Sequence, residues 1–227
     1  MSRRDNPHLR CALCRRHESL CVCPLLPDPP IATRTRLVLL IHRLEHRKPT
    51  NTGLLAAACL ANREVIVRGH EAQPTAPIAW EPGSRPVLLF PFEGATPLAD
   101  LAPSEKPVTL VVPDGTWRQA SKARSRVPGL REVPCVSLPP GDPSSYRLRG
   151  EAHPTGLATI EAIARALGLL EGEMVRRALE RVFRAMVERT LWLRGTIPTR
   201  DVEGGIPEAA LAHDPRGAMA GSGVRID

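Results

Sequence analysis

The sequence predicts an α/β fold, a mostly parallel sheet flanked by helices, and two observations carry that prediction. Between residues 36 and 138, short β-branched apolar runs alternate with segments that open on cap-forming residues and continue as helix. The last third then turns helical, with apolar side chains at three- and four-residue spacing over 155–169 and 173–194. At 227 residues the chain can hold one full core, or one domain with an appendage. Aromatics are only 3%, so the core must come from Leu, Val, Ile and Ala.

In chain order, residues 1–30 are basic, Cys-rich and then Pro-rich, which suits a small module on a stiff linker. Arg36–His42 reads as a buried strand, 50–60 as a helix opening on Thr50, Asn51 and Thr52, and 65–67 and 86–91 as further strands. The stretch from Val108 to Val112 is another strand, broken by Pro113 and Gly115, with a helix from Trp117 to about Arg126. A short strand follows at 134–138. In the first C-terminal helix Leu157, Ile160, Ile163, Ala164 and Leu167 form one face. In the second, Met174, Ala178, Val182, Met186 and Leu193 form a stripe widened by Val175, Leu179 and Phe183. Its other face carries Arg176, Arg177, Arg181, Arg184 and Arg189, read as solvated, with Glu173–Arg177 and Glu180–Arg184 spaced for ion pairs. The domain division is 1–30, 31–198 and a Gly-, Ala- and Pro-rich flexible tail at 199–227.

Ligands of open α/β sheets bind beyond the carboxyl ends of strands. Asp114, Thr116 and Trp117 occupy such a strand-to-helix turn and are the candidate catalytic residues. Spacing leaves a second reading open, in which Asp114 caps the helix and Trp117 packs. Glu45, Asn51 and Thr52 form a second polar cluster at another strand end, with helix capping as the alternative. Tyr146 stands beside Arg147 and Arg149, a pattern suited to RNA or a carboxylate.

The net charge of +7 suits a polyanionic partner. Nearly all of it is arginine, with Lys only at 48, 106 and 122, so genome composition explains it equally well. No run approaches the about 20 apolar residues of a membrane span, and the N-terminal segment lacks a signal-peptide core, so a cytoplasmic location is expected.

Cys11, Cys14, Cys21 and Cys23 form two close pairs that can converge on one tetrahedral Zn²⁺. His17 is a possible substitute ligand, but four thiolates already close the shell and make the site structural. Cys59 and Cys135 lie in apolar runs and read as core residues.

Taken together, the cysteine cluster, the segment from His42 to Gly53, Leu88-Leu-Phe-Pro91, Asp114-Gly-Thr-Trp117, Tyr146-Arg-Leu-Arg149 and the segment from Gly156 to Ala162 resemble the DTW-domain family of tRNA-uridine aminocarboxypropyltransferases. The likeness covers roughly residues 8–195 and departs at Ala158, where the family often has Ser. It implies a catalytic domain over 31–198, related to the knotted SPOUT RNA-modifying enzymes, with the knot near residues 146–161. It also implies S-adenosylmethionine as co-substrate, contacted by Phe90, Pro91, Tyr146, Arg147, Arg149, Thr159 and Glu161. The implied partner is tRNA: Glu45, Asn51 and Thr52 would position the uridine or else hold the amino-acid moiety of the co-substrate, and Arg118 and Lys122, with Arg124 and Arg126, leave a basic face toward the tRNA. The reaction would place a 3-amino-3-carboxypropyl group on N3 of a uridine and release methylthioadenosine, with Asp114 as general base. An RNA methyltransferase of the same class and a non-catalytic zinc-knuckle RNA-binding protein are the rival functions.

Overall fold

The computed structural model describes residues 9–70, 74–101, 104–148, 156–212 and 214. Six strands form one sheet: β1 (Arg36–His42), β2 (Arg63–Arg68), β3 (Arg85–Leu89), β4 (Thr96–Pro97), β5 (Val108–Asp114) and β6 (Cys135–Ser137). Their order is β2-β1-β5-β3-β6-β4 and every pairing is parallel. The helices are α1 (Arg43–His46), α2 (Gly53–Ala58), α3 (Trp117–Ser121), α4 (Ala123–Arg126), α5 (Thr159–Glu171), α6 (Glu173–Leu193) and α7 (Glu208–Leu211). The expected α/β class with a parallel, helix-flanked sheet is therefore present. The short edge strand β4 was not expected, because two residues cannot display a period.

The central strands are buried on both faces, which is why they read as unbroken apolar runs. Side chains alternate across the sheet. Leu37, Leu39 and Ile41 share one core with Leu55 of α2, Ile160 and Ile163 of α5, and Leu179 and Phe183 of α6. Val38 and Leu40 face the other way, into a cluster with Ala123, Val127, Leu130 and Val133. Each such burial stabilises the fold by about 1.5–3 kcal/mol.

Strand β5 runs two residues further than the sequence suggested. Its pairing with β3 ends at Leu88–Val111, so Pro113, which cannot donate, lies beyond that ladder while still beside Leu40 of β1. The break comes at Gly115, whose φ of 155° ends the strand. Register sets Asp114 beside Ile41, at the carboxyl edge of the neighbouring strands β5 and β1.

Helix α6 corrects two expectations. Its buried positions begin only at Leu179, and Met174, in the first turn, is 79% exposed. Arg189, assigned to the solvated face, is only 4% exposed. The other arginines do meet acids. Arg177 pairs with Glu173 at 3.2 Å as expected, but Glu180 takes Arg176 at 2.8 Å and Arg184 turns to Glu203 at 3.4 Å.

Of the flexible tail expected at 199–227, residues 199–212 are anchored through two buried positions, while 213 and 215–227 lie outside the described residues. Val202 and Ala210 close a small core with Leu20 and Trp192, and Trp192 Nε1 donates to Thr199 Oγ1 at 3.0 Å. The composition signalled disorder because the burial rests on scattered apolar residues with no period. No helix among the described residues is long and apolar enough to cross a membrane.

Candidate active site and metal centre

Asp114 is 5% exposed and its carboxylate is held from both sides. Asn51 Nδ2 donates to Oδ2 at 2.5 Å and Thr159 Oγ1 donates to Oδ1 at 2.5 Å. Asn51 in turn accepts from the Leu54 amide at 2.9 Å, which fixes its amide plane against α2. Thr52, buried, accepts from the Ile160 amide at 3.4 Å, tying the starts of α2 and α5 together. Gly53 makes this approach possible, since a Cβ there would stand 2.9 Å from Asp114 Oδ2 and 3.1 Å from Leu39 Cδ1. Three segments far apart in sequence thus converge on one carboxylate.

The helix cap belongs to Thr116. Its hydroxyl accepts from the Gln119 amide at 3.3 Å while Gln119 Oε1 accepts from the Thr116 amide at 2.8 Å, a complete capping box. Gln119 Nε2 also lies 3.2 Å from His42 Nδ1 at the end of β1. Burial, then the charges of Arg68 and Arg43, hold His42 below the usual histidine range.

A cavity of about 450 Å³ opens at the carboxyl edge of β3, β5 and β6, within the range of small-molecule sites. Phe90, Pro91, Trp117, Thr159 and Arg165 are among its walls, with the loop Pro139–Asp142 opposite. The Trp117 ring meets Phe90 edge-on at 5.3 Å, so Trp117 both packs and faces the cavity. Asp114 is not itself in the lining, but its neighbours Pro113 and Gly115 and its partner Thr159 are. Arg165 donates to the Asp142 carbonyl at 2.7 Å and holds the far loop. The loop and Arg165 escaped the sequence reading, although a Pro-Pro-Gly-Asp run directly after a strand end was the available signal.

Other candidates lie elsewhere. Tyr146 is buried, its ring stacked on Phe183 at 6.0 Å and its hydroxyl donating to the Thr50 carbonyl at 3.1 Å, and it does not line the cavity. Its aromatic face is spent on the core, against the expectation of an RNA or carboxylate contact. Arg147 is exposed, and Arg149 lies outside the described residues. Glu161 is buried and accepts from Ser144 Oγ at 2.6 Å, the Ser145 amide at 2.7 Å and the Ala158 amide at 2.8 Å, so it clasps the 144–145 turn to the start of α5. Ala158 lacks the hydroxyl that would complete this cap, and Ala158→Ser is expected to raise stability by about 1 kcal/mol, read from the urea midpoint. Glu45 is buried and accepts from Lys48 at 2.6 Å. Arg118 is exposed and Lys122 half-buried, both on or beside α3.

The four knuckle cysteines are brought together: their sulfurs lie within 4.8 Å of one another, with Cys11–Cys23 at 3.6 Å and Cys14–Cys21 at 3.7 Å. A zinc tetrathiolate with Zn–S bonds of about 2.3 Å has S–S edges of about 3.8 Å, so the donor set fits zinc in type and spacing. His17 points to Ser19 instead, through Nδ1 at 2.7 Å. Burial opposes ionisation of Cys11, but hydrogen bonds from the Cys14 and Leu13 backbone bring it to about 7. Burial pushes Cys21 up to about 11 and Cys23 higher still, so four thiolates need a cation among them. Cys59, pushed up to about 12 by burial, is an inert core thiol.

Residues 8–191 match the DTW domain. The chain belongs to the DTW-domain family. Among its relatives is tRNA-uridine aminocarboxypropyltransferase 2 of Drosophila melanogaster, 31% identical over 176 residues, 74% of this chain and 69% of that protein. The Mus musculus protein of the same name is 31% identical over 169 residues, and this chain spans 56% of its length. tRNA-uridine aminocarboxypropyltransferase A of Arabidopsis thaliana is 30% identical over 216 residues, 81% of this chain and 82% of the relative. No solved structure matches significantly. The DTW signature itself, Asp114 to Trp117, is the turn between β5 and α3, from the clasped carboxylate to the cavity wall.

Proposed function

We propose that this DTW-domain protein transfers the 3-amino-3-carboxypropyl group of S-adenosylmethionine to N3 of a uridine in tRNA, giving 3-(3-amino-3-carboxypropyl)uridine and methylthioadenosine. The observation that carries the proposal is the clasped Asp114 behind a cavity wall that includes its hydrogen-bond donor Thr159, in a chain related over most of its length to enzymes named for this transfer.

The cavity suits S-adenosylmethionine: Phe90, Trp117 and Leu157 offer apolar walls to an adenine, and Arg165 offers a guanidinium to a carboxylate. When bound, the co-substrate supplies a sulfonium-activated γ-carbon. N3 of uridine carries its proton at neutral pH, so the chain must remove it. Thr159 hands its hydroxyl proton to Asp114 Oδ1 and takes the N3 proton in exchange. The N3–C bond forms as the S–C bond breaks, and sulfur keeps the electron pair. The cavity walls select the propyl carbon by alignment alone. Asn51 holds the carboxylate in register throughout, and Glu161 holds the segment that carries Thr159.

Arg118, Lys122, Arg124 and Arg126 meet the tRNA backbone, and the four cysteines hold a structural zinc. A knotted, SPOUT-type path near residues 146–161 belongs to the same proposal; the parallel sheet is in keeping with it, and residues 149–155 of that path lie outside the described residues. Gly53→Ala is expected to lower turnover by about 10²-fold, because the added methyl displaces Asp114, with far-ultraviolet circular dichroism unchanged. Arg118→Ala with Lys122→Ala should raise the KM for tRNA and flatten its salt dependence by about one unit of slope per lost phosphate contact.

The deciding experiment incubates the protein with unmodified tRNA and labelled S-adenosylmethionine and weighs the nucleosides. A uridine heavier by the aminocarboxypropyl group, with methylthioadenosine, supports the proposal. S-adenosylhomocysteine in its place makes the protein a methyltransferase, and tRNA binding without turnover makes it a binding protein.

A further inference from the structure

Two buried arginines beside the cysteine cluster have no acid to answer them among the described residues. Arg16 is 7% exposed; one Nη donates to Thr190 Oγ1, while its Nε and other Nη have no hydrogen-bond partner among the described residues. Arg189 is as deeply buried and spends its donors on carbonyls alone, those of Cys21, Gly205 and Gly204. Neither has a carboxylate partner among the described residues. Both are fixed to one spot: Arg16 bonds the residue next to Arg189 on α6, and Arg189 bonds the backbone of a cluster cysteine.

Burying two like charges in one place without an anion is strongly unfavourable, because each loses hydration and each repels the other. Four neutral thiols do not relieve this. Four thiolates around a divalent cation carry a net charge of minus two, which equals the charge of the arginine pair in magnitude. Resting on the reading of Cys11, Cys14, Cys21 and Cys23 as a zinc site, we infer that Arg16 and Arg189 are the counter-ions of a zinc tetrathiolate, and that this charge pairing is what holds the knuckle on α6. The metal centre then acts beyond its own loop: it offsets the buried charge of Arg189 on α6 and fixes the Gly204–Gly205 turn through it.

The test compares full-length parent protein with Arg16→Met, Arg189→Met, Arg16→Lys and Arg189→Lys. Zinc retention is read by competition with a colorimetric chelator, and thermal midpoints are taken with and without zinc. Loss of an outer-shell partner costs 10- to 100-fold in metal affinity. Each Met variant should therefore hold zinc at least about 10-fold more weakly than parent, and each Lys variant should stay within about threefold. The order of stability should also invert: with zinc the Met variants melt below parent, and after zinc removal they melt above it, because an unanswered buried charge is gone. A purely space-filling role moves both midpoints in the same direction. Equal zinc retention in Met and Lys variants, or no inversion, overturns the counter-ion role while leaving the zinc site standing. Parent protein that binds no zinc overturns the metal reading and this inference with it. Should a Met variant fail to fold, the charge-neutral Arg189→Gln against Arg189→Lys carries the same comparison.

Discussion

Asp114→Asn is expected to lower transfer by about 10²–10⁴-fold, the usual contribution of a positioned proton acceptor. The side chain keeps its shape, so the fold and co-substrate binding should persist. What changes is one oxygen, replaced by an amide that faces either Asn51 Nδ2 or Thr159 Oγ1 with a donor where an acceptor stood. Thr159→Val should fall with it, since it removes the hydroxyl through which the proton passes, whereas Thr159→Ser should retain most activity. Single-turnover rates with saturating tRNA and S-adenosylmethionine separate chemistry from binding. Near-parental chemistry in Asp114→Asn removes Asp114 as base; a Thr159→Val enzyme as fast as parent removes only the relay.

Stripping the metal should cost about 5 kcal/mol of stability, or roughly 10–20 °C in thermal midpoint. Zinc-dependent modules lose more in isolation, but here Val22 also belongs to the main core and keeps part of the knuckle in place. The loss should be felt at Trp192, which packs with Leu20 from the knuckle, so its fluorescence reports undocking before the sheet melts. Elemental analysis of protein purified without chelator establishes the starting stoichiometry. A midpoint indifferent to chelation would mean that the thiols are held together by the fold alone.

The parallel sheet was legible because β1 and β5 are buried on both faces and therefore announce themselves as apolar runs. The position of Asp114 followed from a strand ending in Pro-Asp-Gly. Its partners did not follow. Asn51 and Thr159 carry ordinary cap chemistry in sequence, and only the packing of α2 and α5 on one sheet face turns both toward the same carboxylate. Tyr146 misled for a related reason: flanking arginines mark an exposed aromatic only when the backbone turns its ring outward, and here the ring turns in against Phe183. Arg189 was hidden by helical periodicity, which assigns arginine to water unless something buried answers its charge. The thiols were legible by spacing, because metal-ligand geometry is local, whereas the arginines that face them come from both ends of the chain.

The turn at 202–205 gives the protein a practical lower limit on its length. A chain ended at residue 198, where composition suggests that the catalytic domain stops, would lose the covers of Leu20 and Trp192, the acid shared by Arg181 and Arg184, and two of the three carbonyls around Arg189. Such a trimmed protein is expected to express poorly and to aggregate through the newly bared Trp192 patch. Fragments for crystallisation or interaction screening should therefore extend at least to Leu211.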